Sequence, residues 1–369
     1  MSVASLVCFG VGAACSGDAF TSSDTPDAGG GAGVAGDSDN EAGEGGSNED
    51  GAGGALSGGR GGASPSAGSA GKPPAGCELC VTGEYCQDGT YKCRKCTDYT
   101  RLEFGSPQKL LSQSAQASKR FARPASLGSA LFYVAGAADN ARILYAVSPV
   151  SGMGTPVTAQ GQVESGPLLA KGFADRDLFF DRKEAGERKL YMANWSAPST
   201  LTNEELMPGE INEQGSDDYS VALSPKTGNV YWMSTRNGAA ELLWQPTNLD
   251  GPPAPAPLEL TLKVGKAECP RAGEDATPWV NQDGTLLLFR NPSLNESCDP
   301  NDSGATDLFA VGLKPDGTPE GPARALSSLN NTGGMSRETD PTLSNDSCSI
   351  YFATDNGSGA FDLYKAPRN

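Results

Sequence analysis

The chain has 369 residues, a formal net charge of −17 and no histidine. The missing imidazole excludes Ser-His-Asp and Cys-His catalysis and the usual histidine zinc sites. The acidic balance argues against nucleic acid and anionic membrane surfaces, and suits a cationic partner or metal ions better. Hydrophobic residues make up only 37%, against 48 glycines and 26 prolines. That mixture divides the chain into a part that cannot form a core and a part rich in turns.

Residues 1–15 form the first segment. Val3 to Ala14 is apolar and small, too short to span a bilayer, and reads as a secretion signal. Gly12, Ala13 and Ala14 before Cys15 resemble the cleavage box of bacterial lipoproteins, with Gly12 where such boxes usually carry Leu. The resemblance implies lipidation of Cys15. An ordinary cleaved signal is the alternative. Residues 16–76 are dominated by Gly, Ala, Ser and acids, with no aromatic after Phe20. Such a stretch cannot bury enough apolar area to offset its ordering entropy, and it is expected to be a disordered tether. Its reach as a flexible coil is roughly 40–45 Å.

Residues 77–99 carry Cys77, Cys80, Cys86, Cys93 and Cys96. Two CxxC pairs suit tetrahedral zinc in a reducing compartment, but export favours disulfides. Five is an odd number, and so are the three later cysteines, Cys269, Cys298 and Cys348. Parity therefore calls for one bridge from this module to the head and one within the head. The module is expected to act as a stalk cap.

Residues 102–369 show a weak internal repeat. An apolar, aromatic-rich strand recurs at Leu131-Phe132-Tyr133, Leu178-Phe179-Phe180, Val230-Tyr231-Trp232, Leu287-Leu288-Phe289 and Ile350-Tyr351-Phe352. A turn and a short proline- or small-residue segment precede each, and a second apolar strand follows. The spacing relates Phe132 to Tyr145, Phe179 to Tyr191, Tyr231 to Trp244 and Tyr351 to Tyr364. The fourth copy is longer and holds Cys298 in its insertion. Repeats near fifty residues with this turn density point to four-stranded blades of an all-β propeller. The residues Ser224-Pro225, Asp283-Gly284, Asp340-Pro341, Asp307-Leu308-Phe309 and Asp362-Leu363-Tyr364 resemble the TolB-like, WD-repeat-like propeller family.

Outer strands are expected in GTPVTAQGQ, LTNEELMPG, APLELTLKV and GPARALSSL, but the last repeat reaches Asn369 without one. The match GSPQKLLSQ at 105–113 is free to supply it. The expectation is five blades closed by pairing an N-terminal strand with the C-terminal repeat, which hides two sheet edges.

Three residues before each inner-strand proline, or its equivalent, stand Glu164, Asp218, Asp275 and Glu338, with Phe121 in the first repeat. Two readings follow. The acids ring one mouth of the channel and take calcium or a cationic ligand, or each hydrogen-bonds the backbone of the neighbouring blade. Arg123, Arg271 and Arg337 are expected to pair with carboxylates. Beyond that calcium, no cofactor is expected. The chain is read as a non-enzyme: an exported, monomeric propeller at the outer membrane, cell surface or periplasm. It touches the membrane through its lipid anchor and binds an envelope protein, peptide or glycan. Alternatives are a carboxylate-based glycoside hydrolase or lyase, and a structural spacer head.

Overall fold

The chain divides into residues 1–68 and 69–369. The computed structural model describes residues 80–369 apart from 82, 88–91, 111–117, 126–129, 137–140, 147–153, 158–163, 174, 197, 247–253, 271–276, 296, 300–303 and 331–335. Cys15, the tether, Cys77, Arg271 and Asp275 thus lie outside the described residues.

The head is a five-bladed propeller, each blade built on four antiparallel strands. Blade 1 runs Lys119–Pro124, Leu131–Ala135, Arg142–Ala146 and Thr155–Pro156. Blade 2 runs Glu164–Phe173, Arg176–Glu184, Glu187–Ser196 and Thr200–Leu206. Blade 3 runs Asp218–Ser224, Asn229–Ser234, Glu241–Pro246 and Ala256–Pro257. Blade 4 runs Trp279–Val280, Leu286–Pro292, Thr306–Gly312 and Ala323–Ala325. Blade 5 runs Glu338–Leu343, Ser349–Thr354 and Asp362–Pro367, and takes its outer strand, Gln108–Lys109, from before blade 1. The five first strands contact one another in a closed ring around the axis.

The core lies in the five seams between blades. Each second strand is buried on both faces, because successive side chains point to opposite seams. Leu178 and Phe180 pack against blade 1, with Phe132 and Ile143, while Phe179 packs against blade 3, with Val230 and Trp232. Both-face burial is why the repeats read as continuous apolar runs. Aromatic pairs also bridge the second and third strands. They are Phe180–Tyr191, Tyr231–Trp244, Phe289–Phe309 and Phe352–Tyr364, stacked with ring centroids 5.8–6.5 Å apart.

Four of the five inner strands share a bulge. Register shifts fall between Arg120/Arg123, Ser165/Leu168, Tyr219/Ala222 and Thr339/Thr342. The extra residue takes left-handed backbone in each: Phe121 (φ 56°), Gly166 (φ 57°), Ser220 (φ 54°) and Asp340 (φ 57°). The bulge turns an amide toward the preceding blade. Ser220 N–H donates to Asp181 Oδ1 of blade 2 at 3.2 Å, Phe121 N–H to Asp340 Oδ2 of blade 5 at 3.3 Å, and Asp340 N–H to Thr277 Oγ1 beside blade 4 at 3.1 Å. Bulges re-aim chain segments in this way, and here they stitch the seams near the axis.

One expected outer strand divides. Ala256–Pro257 closes blade 3 at its edge, where a proline's missing N–H is tolerated. Thr261–Val264 then crosses over and pairs in parallel with Ala323–Ala325, so a hairpin with Ala267–Pro270 extends blade 4 to six strands. The Cys269–Cys298 disulfide pins this hairpin to the insertion of blade 4.

The cysteine-rich module is a hairpin, Glu84–Gln87 with Lys92–Lys95, stapled by Cys80–Cys93. Cys86 is disulfide-bonded as well. Cys96–Cys348 joins the module to the head, so the bridges divide as parity required. Arg368 reinforces the junction by donating to the carbonyls of Cys96, Asp98 and Arg101 at 2.9, 2.8 and 2.5 Å.

Candidate functional site

The two ends of the axis differ. At the strand starts, Glu164, Asp218 and Glu338 are buried and held within their own blades. Glu164 accepts from Arg182 Nε and Nη2 at 2.9 and 2.7 Å. Arg182 also donates to Glu204 at 2.6 Å. Asp218 accepts from Glu213 N–H, Ser216 Oγ, Trp232 Nε1 and Arg236 Nη2, each at 3.1 Å. Glu338 accepts from Thr354 Oγ1 at 3.2 Å. The bonds to the adjacent blade come from the bulge two residues later.

The bulge also corrects the first repeat. Lys119, not Phe121, is the counterpart of the acids, because both Lys119 and Glu338 sit two residues before the left-handed position. Lys119 is buried and faces Asp362 of blade 5 at 3.5 Å.

This geometry leads to a definite expectation. Each described acid already has donors, so millimolar calcium should leave the thermal midpoint unchanged. Asp218→Asn should lower stability by about 1–3 kcal/mol, because an indole N–H and a guanidinium lose a charged acceptor. A calcium-dependent rise in midpoint that Asp218→Asn abolishes would show that the acids instead form a cation site.

At the opposite end lies a cavity of about 420 Å³. All five inner strands contribute to it near their finishes, through Pro124, Leu169, Leu223, Val280 and Leu343. Trp279 and Leu168 add apolar wall, and Asn281, Ser344 and Asn345 supply polar turn groups. Thr97 and Tyr99 of the cysteine-rich segment complete the lining. Tyr99 is fixed by a 3.0 Å hydrogen bond between its hydroxyl and Ser347. The module, expected to be a stalk cap, therefore supplies part of this wall.

Two lining residues are charged. Asp283 pairs with Lys226 at 2.8 Å on the exposed side. Arg123 is 4% exposed and its Nη1 donates to the carbonyls of Asp340 and Pro341 at 3.1 and 3.4 Å. Among the described residues no carboxylate lies within ion-pair distance of it. Asp340 is nearby, but its two oxygens are taken by Arg120 at 2.9 and 3.1 Å. Burial pushes the Arg123 guanidinium down to about 10, against the attraction of Asp340. The expected carboxylate partnership of Arg123 is thus absent, whereas Arg337 does pair, with Asp355 at 2.7 Å.

No protein-family model and no curated protein matches the sequence. Solved structures similar in fold include TolB from Acinetobacter baumannii, at 12% identity and TM-score 0.40, covering 69% of this chain and 55% of that one. This chain therefore spans about half of TolB. A glucose dehydrogenase aligns at 12% identity and TM-score 0.43, covering 72% of this chain and 100% of its own. The catalytic domain of the Coprinopsis cinerea GH62 α-L-arabinofuranosidase aligns at 12% and 0.41, covering 73% and 97%. These likenesses bear on fold only, and no function passes from them to this chain.

Proposed function

We propose that this chain is an exported, membrane-tethered binding module whose propeller takes its ligand in the axial cavity at the inner-strand finishes. The ligand is a small molecule or a short segment of an envelope protein, peptide or glycan. One observation carries the reading: a cavity of about 420 Å³, lined by all five blades and by Trp279 and Tyr99. That volume lies in the range of small-ligand sites, and the lining combines apolar and aromatic side chains with a comparable share of polar groups. Three disulfides between described cysteines support an oxidising compartment. The apolar start and the Gly-rich acidic stretch support a tether.

A hydrolase or lyase reading needs two carboxylates facing one substrate. Among the described residues the cavity has one acid, Asp283, already paired with Lys226. That favours binding over catalysis.

The test is a glycan array and a short-peptide library screened against the oxidised chain, with every hit repeated on Trp279→Ala. Hits should weaken about tenfold or more when the indole is removed from the wall. Hits that bind Trp279→Ala as well as the parent chain would place the ligand elsewhere and sink the cavity reading.

A further inference from the structure

We infer that the axial cavity recognises a carboxylate: a ligand carrying one acidic terminus on a compact apolar or aromatic body, seated with its carboxylate on Arg123. This rests on the binding reading above and names the ligand class for the same cavity. Two independent features point to it.

The first is the state of Arg123. It is nine-tenths buried yet lines the cavity. Every described hydrogen bond it makes runs through Nη1, to neutral carbonyl oxygens. None uses Nε or Nη2. Main-chain carbonyls orient a guanidinium without neutralising it, so Nε and Nη2 keep donors that no described hydrogen bond uses. Guanidinium geometry matches a carboxylate in a two-bond pairing, and desolvation strengthens such a pair.

The second is the local charge balance. The chain as a whole carries −17, yet the described lining of this cavity holds one acid and one base, Asp283 and Arg123. Its one lining acid, Asp283, is matched by Lys226, which leaves Arg123 as the surplus. Asp340, the carboxylate beneath, is occupied by Arg120. A cationic ligand would meet a guanidinium that no carboxylate pairs directly, and a neutral one would leave it so. An anionic one completes it. Trp279 and Tyr99, the aromatic residues of the lining, then meet the body of the ligand.

The carboxylate can come from a free small molecule or from the C-terminus of a chain, so the experiment carries both. The oxidised full chain is titrated calorimetrically with indole-3-acetate and indole-3-acetamide, and with acetyl-Ala-Ala-Phe as the free acid and as the C-terminal amide. At least one acid should bind ten times more tightly than its amide, and the gap should narrow as salt is raised. Preference within the first pair identifies a free acid, and within the second a chain terminus. Arg123→Gln should abolish the acid–amide gap while sparing residual amide binding. Because Arg123→Gln also removes bonds to blade 5 and can fail to fold, the comparison on the unaltered chain is decisive by itself. If no acid binds, or amides bind as well as acids, the carboxylate seat is wrong. Array or library hits that depend on Trp279 would then still uphold the cavity as a binding site, so the two failures are distinguishable.

Discussion

Replacing residues 102–113 with a Gly/Ser segment of equal length is expected to destabilise the propeller severely, whereas deleting residues 16–76 should leave its midpoint within error. The first change removes the strand that closes the ring. Gln108–Lys109 pairs with Tyr364 and Lys365, and Gly105 N–H and Leu110 N–H donate to the carbonyls of Pro367 and Leu363 at 2.8 and 2.9 Å. Phe104 is 2% exposed and packs with Leu286, Leu326, Phe352 and Ala366. Losing a buried phenylalanine costs about 3–5 kcal/mol by itself. The replacement would also bare the backbone edge of blade 5. A loss of that size is a large part of the ~5–15 kcal/mol that holds a domain folded. Residues 16–76 have a composition that supports no packing, which is why their deletion serves as the control. Urea or thermal unfolding of the two variants reads the difference. Equal behaviour would mean that the ring does not depend on this closure.

Asp340→Asn is expected to cost about 3–5 kcal/mol, the range for removing one partner of a buried ion pair. Asp340 is fully buried and accepts from Arg120 Nε and Nη2 and from Phe121 N–H. It therefore ties blade 5 to blade 1 at the axis. Asparagine tolerates the left-handed backbone that this position requires, so the substitution tests the charge and not the turn. Burial pushes the Asp340 carboxyl up, but Arg120, through its charge and hydrogen bonds, and then Arg290 and Arg123 outweigh this. They hold it below its ordinary value of 3.8. A group whose folded value is depressed contributes stability above its unfolded value and loses it as pH falls through the folded one. The gap between parent and Asp340→Asn should thus be full at pH 5–7 and shrink as pH falls below about 4. A gap unchanged down to pH 2 would mean that folding does not alter this carboxyl's affinity for protons, contrary to the depressed value that Arg120 imposes.

Much of the fold was legible in the residues, because its signals are local. Leu178-Phe179-Phe180 and Val230-Tyr231-Trp232 are buried on both faces, so each writes its burial into consecutive letters. Turn residues such as Asp283-Gly284 mark strand ends by their own backbone preferences; Gly284 has φ 70°. Even the ring closure was readable, since the last repeat lacked an outer strand and one unassigned match stood before the first. Cysteine parity foretold a module-to-head bridge without naming Cys96 and Cys348.

The frame of the inner strands was not legible. Counting back from a proline assumes that the proline holds one place in every inner strand, but Pro167 and Pro341 directly follow the left-handed residue while Pro124 stands three residues after it, which put Phe121 where Lys119 belongs. The hop of residues 256–264 from blade 3 to blade 4 was hidden likewise, because an alternating apolar stretch does not say which sheet edge it meets. Least legible was the site. Arg123 is one arginine among many in the letters, and nothing near it in the chain separates it from Arg337, which has Asp355 beside it. Its distinction comes from Asp340, 217 residues away, being already taken by Arg120. Strand and turn were set by neighbours along the chain. The cavity is the meeting of five strand ends and a disulfide-held tyrosine, and only the closed ring decides which side chains face it and which charge is left over.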